Sequence, residues 1–250
     1  MKTALAIASI LVFSSAVEAA GDVEAEIREL TRRVNSLSKS DPAQAEALFA
    51  LAAAHQRAAD ASAATKAGQR RAAKHASLAH AIHESIVRLH PKSAHAGPSR
   101  LAIGHHALAQ KKFQNALESF FKCARRARAN NASLAAACRD GFVLAYAEVG
   151  KAQKAHVAFK RVSKPDAVEM VAKLADLYDA TGKAPKAIFS YRSLLRLLPK
   201  DPRACVWQGQ VLRLVIAIGA QKQIAPERRR LIALGKANND VRCADLARGL

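Results

Sequence analysis

The sequence predicts an all-α protein, and three observations carry that prediction. Among 250 residues only 5% are aromatic, with 11 Gly and 8 Pro, while alanine is abundant. That composition suits close-packed helices better than sheets, which favour β-branched and aromatic side chains. Apolar residues recur three and four apart along most of the chain, the period of one helix face. Finally, one layout of small residue, turn, alanine and aromatic returns three times between residues 98 and 199. Half of the residues are apolar, so the chain can bury a substantial core.

Residues 1–19 read as a cleaved signal peptide. Lys2 gives a positive start, Leu5 to Phe13 is apolar, and Val17-Glu18-Ala19 offers small residues at the cleavage positions. The alternative is a retained amphipathic helix. No cysteine near the cut suggests a lipid anchor, and no later run reaches the roughly 18 apolar residues of a transmembrane helix. The mature protein, residues 20–250, is therefore expected to be periplasmic or secreted and to form a single domain. Disulfides persist in such compartments. Cys123 and Cys138 lie on successive predicted helices, equally far from the Asn130-Asn131 turn, and so face each other in a helical hairpin. Cys205 with Cys243 follows by elimination. Buried free thiols are the alternative.

In chain order, the first element is a helix over 22–38, with Val23, Ile27, Leu30, Val34 and Leu37 in one stripe. Ser40-Asp41-Pro42 ends it and starts the next, Asp41 as N-cap and Pro42 at the first helical position. Residues 43–91 continue the helical pattern with a break near Gly68, and Pro91 stops it. Gly97-Pro98 opens a new helix. Then come the three related segments, 98–128, 134–163 and 168–199. Gly104, Ala107, Ala116 and Phe120 occupy the shared positions in the first. Val143, Tyr146, Ala155 and Phe159 do so in the second, and Ala175, Tyr178, Ala187 and Tyr191 in the third. Gly150 and Gly182 mark turns that need a positive φ. The alanines lie 39 and 32 residues apart, near the period of about 34 for a helix-turn-helix unit. Residues 203–250 add a helix through Leu212, Val215 and Ile216, then two short ones, Pro226 to Leu234 and Asn239 to Arg248, as a cap.

These residues resemble the tetratricopeptide repeat family. The third segment is the strongest match, through Leu174, Ala175, Tyr178, Gly182, Ala187, Tyr191 and Pro199. Residues 43–91 are similar to an elongated, divergent repeat with about 15 extra residues, and His55 stands at the family's Tyr position. The layout is also similar to exported repeat proteins of bacterial cell-envelope machines, including gliding-motility proteins. Ala47 to Ala54, Met170 to Pro199 and Trp207-Gln208 carry this likeness. The resemblance implies a right-handed superhelical solenoid of about four antiparallel helix pairs plus the cap. It implies a groove that binds a protein segment in envelope complex assembly, with no catalysis and no cofactor.

In this family the first helix of each pair lines the groove. Carried over, its positions are Leu101, His105 and Leu108, then Asp140, Leu144 and Glu148, then Glu169, Asp176 and Asp179. That face is apolar at one end and acidic at the other, in a chain of formal charge +20. It suits a basic or amphipathic partner segment. The assigned positions lack the Lys, Arg and Asn with which some members clamp a terminal carboxylate. The bland alternative is that the carboxylates balance neighbouring cations.

The excess positive charge supports a second reading, an envelope protein that binds an anionic polymer through its surface. Lys66, Arg70, Arg71 and Lys74 cluster on one stretch, with Arg125, Arg126 and Arg128 and the run Arg228 to Arg230 elsewhere. Nucleic acid is not expected, because aromatic residues do not interleave with the basic ones. His80, His83 and Glu84, with His75 a turn away, invite a metal, but no His-Glu-x-x-His or Cys-x-x-Cys spacing accompanies them. No phosphate loop or nucleophile elbow occurs. The chain reads as no enzyme.

Overall fold

The computed structural model describes residues 22–63 and 66–250, and the regular elements among them are all helical. The signal peptide expected over residues 1–19 lies outside the described residues. In chain order the helices are α1 (22–36), α2 (Pro42–Ser62), α3 (Lys66–Leu89), α4 (Ala96–Ala109), α5 (Phe113–Ala127) and α6 (Ala132–Val149). A 3₁₀ turn at Ala152–Lys154 precedes α7 (Ala155–Val162), α8 (Ala167–Ala180), α9 (Ala184–Leu197), α10 (Ala204–Ala217), α11 (Gln221–Asn238) and α12 (Arg242–Gly249). No described helix is long and apolar enough to cross a membrane.

The chain falls into two compact units, the first ending at Lys112 and the second beginning at Phe113. The pair expected over 98–128 is divided between them, α4 closing the first and α5 opening the second. In the first unit, Ile27 of α1 packs with Leu51, Ala54 and Ala58 of α2, and Val23, Leu30, Val34 and Ile82 cover them. Asp41 caps α2 by accepting from the Ala43 amide at 2.8 Å, with Pro42 at the first helical position. The extra residues within 43–91 form two long helices of 21 and 24 residues. The first ends at Ser62 and the second begins at Lys66, so Gly68 lies inside α3 and is not the break. A lone glycine costs a helix only about 1 kcal/mol, less than the packing of two such helices returns.

In the second unit, α6, α8 and α10 form one layer and α5, α7, α9 and α11 the other, while α12 closes the end against α10 and α11. Ala116, Ala155 and Ala187 are all 0% exposed, and the aromatics four residues on, Phe120, Phe159 and Tyr191, are buried too. All three alanines are thus buried, each on a helix of the second layer and each four residues before a buried aromatic. The small residues permit the close approach: a Cβ at Gly141 would overlap the Phe120 ring. Cys123 is joined to Cys138 (Cα–Cα 5.8 Å), tying α5 to α6. Cys205 is joined to Cys243 (Cα–Cα 5.1 Å), tying α10 to α12.

One turn geometry recurs. Gly182 and Gly219 have φ of 69°, and their amides bond the carbonyls three residues back while the next amide reaches five back. Lys111 (φ 58°) and Asn239 (φ 50°) build the same turn without glycine. Gly150 departs from expectation. Its φ is −79°, and glycine is needed there because a Cβ would overlap the Tyr146 ring. Since a Cβ at Gly182 meets nothing within 4 Å, Gly182→Ala is expected to cost about 1 kcal/mol through backbone strain alone. Lys111→Gly is expected to relieve strain and gain up to about 1 kcal/mol. Urea midpoints of the two variants check both signs.

The C-terminal helices also differ from the expected boundaries. The hydrogen bonds of the Gly219 turn let α11 begin at Gln221, so Pro226 falls inside it rather than starting it. Its missing N–H leaves only the Lys222 carbonyl without a helical donor, at an exposed residue. Asn239 in the left-handed region then ends α11, and α12 starts at Arg242.

Candidate functional site

The acidic residues expected to line a groove lie on one face of α6 and α8, the side from which α10 also presents its cations. Asp140, Leu144 and Glu148 are four apart on α6 and all exposed, Leu144 at 44%. Glu169, Asp176 and Asp179 lie along α8. Leu101, His105 and Leu108 lie on α4 in the first unit, the leucines half-buried and His105 exposed.

Ion pairs join these helices, with Lys183 and Arg203 in the residues just before α9 and α10, one repeat at a time. Asp140 accepts from Lys173 at 2.6 Å, Glu148 from Lys183 at 2.9 Å and Glu169 from Arg203 at 2.7 Å, while Asp179 pairs with Arg213. The partners are 33, 35, 34 and 34 residues apart. Glu169 and Arg203 stand at the starts of their helices and Asp179 and Arg213 toward the ends, so α8 and α10 run parallel and in register. Each partly exposed pair contributes about 0–1 kcal/mol; the ladder sets register more than stability. Asp176 instead accepts from the Tyr191 hydroxyl at 2.7 Å, and burial together with that bond raises the Tyr191 pKa.

Lys173, Arg203 and Arg213 belong to this face and were not among the residues expected there. The signal that locates them is the repeat length itself, applied to charges instead of apolar residues. With them, the face is a row of paired charges in which Asp176 bonds a tyrosine rather than a cation, and the exposed Val206 (47%) of α10 stands beside Arg203. The Arg203 guanidinium also covers the Trp207 ring at 4.9 Å, and Trp207 is buried as core.

The basic residues of α3 behave differently. Lys66, Arg70, Arg71 and Lys74 are all exposed and form no ion pair among the described residues. Below them, the histidines expected on one face turn to different partners. His80 lies 3.4 Å from Glu84 and stacks on His106, His83 Nδ1 meets Ser99 Oγ at 3.1 Å, and His75 Nδ1 meets His55 Nδ1 at 3.0 Å. Among the described residues no three His, Cys, Asp or Glu side chains gather where they could hold a metal ion.

His83 is the group whose charge the fold resists most. Burial beside Phe49, reinforced by His80, pushes its pKa down to about 4. Burial and His75 also lower that of His55, against a smaller opposing pull from Glu24. Between pH 6.5 and about 4 the unfolded chain takes a proton at position 83 that the folded one refuses, so stability falls as pH drops through that window. The expected loss is on the order of 2 kcal/mol. Urea midpoints at the two ends of the window should drop for the natural protein and drop less for His83→Leu.

Compared with known proteins, the chain matches no family model and no curated protein.

Proposed function

We propose that this protein is a non-enzymatic scaffold that holds a segment of another protein along α6, α8 and α10, in an envelope complex outside the cytoplasm. The observation that carries the reading is the exposed face of α6, α8 and α10, called the inner face from here on and the layer of α5, α7, α9 and α11 the outer, where Leu144 and Val206 stand exposed among paired charges. Exposed apolar side chains surrounded by polar ones are what an extended segment uses to gain affinity, while the charges set its register. The tetratricopeptide-like residues of the third repeat point to the same face. The two disulfides suit an oxidising compartment.

Photo-crosslinking tests it. A benzophenone side chain at Leu144 or Val206 is expected to trap a protein adduct in envelope preparations, and one at Val157, on the opposite layer, is not. Adducts at Val157 alone would refute the reading.

A second reading, binding of an anionic polymer through α3, is favoured by Lys66, Arg70, Arg71 and Lys74 forming no ion pair among the described residues. It requires retention on such a polymer to fall steeply with salt and to weaken in Arg70→Gln, Arg71→Gln, Lys74→Gln. Retention that ignores those substitutions removes it.

A further inference from the structure

The two layers of the second unit differ in charge. The inner helices α6, α8 and α10 carry Asp140, Glu148, Glu169, Asp176 and Asp179 against Arg139, Lys173 and Arg213. On the outer helices α5, α7, α9 and α11 the carboxylates are Glu118 and Glu227. Both are occupied: Glu118 holds Lys122 at 2.5 Å, and Glu227, 1% exposed, lies beneath Arg192 and Arg230. Lys160, Arg161, Lys222, Arg228, Arg229 and Lys236 remain exposed, with no ion-pair partner among the described residues of this unit.

Apolar groups interleave with these cations. Val157 (59% exposed) is three and four residues from Lys160 and Arg161, and Ile232 (40%) is four and three from Arg228 and Arg229. Arg228, Arg229, Ile224 and Ile232 line a shallow depression of about 410 Å³ on α11. Phe121 and Phe189 lie half-buried under the guanidiniums of Arg125 and Arg196, at 5.5 and 5.8 Å. A soluble polyanion is matched by cations alone and gains nothing from the apolar groups. A single-stranded nucleic acid needs bare aromatic faces, and these are covered. Cations around exposed apolar side chains match a bilayer interface, where the charges meet anionic headgroups and the apolar groups enter the acyl boundary.

We propose that the outer layer of the second unit docks on an anionic phospholipid surface. The inner face stays open to a protein segment, and the inference does not depend on that reading: failure to capture a protein leaves lipid docking intact.

The test uses the full mature chain in flotation with phosphatidylcholine vesicles, with and without phosphatidylglycerol. The protein is expected to float with the phosphatidylglycerol vesicles only, less so at high salt. Replacing Arg228 and Arg229 by Gln should weaken binding roughly fivefold for each cation. Val157→Ser with Ile232→Ser should weaken flotation while leaving retention on inorganic polyphosphate unchanged. All four side chains are exposed, so melting temperatures should hold. Asp176→Asn, on the inner face, should float like the natural protein. Equal flotation with neutral vesicles, or undiminished flotation of the arginine variant, overturns the proposal. So does polyphosphate binding without flotation, which would assign the surface to a soluble polyanion.

Discussion

Replacing Cys205 and Cys243 by alanine is expected to destabilise the protein by about 4 kcal/mol, more than the loss of the other disulfide. The bridge closes a loop of 38 residues, against 15 for Cys123–Cys138. On the chain-entropy model the shorter loop is worth about 3 kcal/mol. Location reinforces the order. Cys205 and Cys243 are buried with Leu212, Leu231 and Ala247, where α12 covers the end of the stack. A helix of eight residues does not persist alone, so α12 should detach and expose the apolar end of α10. Guanidinium midpoints of both double variants, with proteolysis near Val241, check this. A smaller loss at Cys205–Cys243 than at Cys123–Cys138 would contradict it.

Glu227→Ala is expected to cost about 3 kcal/mol, a large effect for a single side chain. Glu227 is 1% exposed yet belongs to the outer layer. Its carboxylate accepts from Arg192 at 2.6 Å, Arg230 at 2.5 Å and the Gln208 amide at 2.7 Å, so one side chain joins α9, α10 and α11. Its loss leaves the buried Gln208 amide without that partner and removes the tether on Arg192. The two guanidiniums are partly exposed, at 37% and 63%. They rehydrate, which keeps the cost below that of breaking a fully enclosed pair. Glu227→Gln retains an acceptor for Gln208 and should cost less. Equal losses for the two variants would place the effect wholly in the charge that both remove, leaving nothing for the acceptor and the packing that Gln keeps.

The parts of the fold legible in the sequence are those that sterics dictates. Ala116, Ala155 and Ala187 each precede an aromatic by four residues because helices that cross closely admit only a small side chain there, and all three are buried as the spacing requires. The Cys123–Cys138 pairing follows from the same hairpin geometry. The length of α2 and α3 is not legible, because their alanine-rich run lacks strong stop signals and Gly68 is too weak a breaker. Nor is the division after Lys112, since the turn there reads like the turn inside any other helix pair. At the candidate site the carboxylates are legible from the repeat positions, but their partners Lys173, Lys183, Arg203 and Arg213 are not. Within any one helix these cations show no pattern, and the pairing emerges only between residues about one repeat apart.

That pairing guides how the face is best perturbed. Reversing the carboxylates would set like charges beside Lys183, Arg203 and Arg213, mixing fold damage with lost recognition. Glu148→Gln, Glu169→Gln, Asp176→Asn and Asp179→Asn together keep size and hydrogen-bonding capacity, and because the pairs are partly exposed they should lower stability only slightly.

The most direct measurement is a quantitative pull-down from envelope extract, comparing the natural protein, this inner-face variant and Arg228→Gln, Arg229→Gln. The account predicts a protein set captured by the first and third and lost from the second. The same proteins on all three, or none on the natural protein, would contradict it.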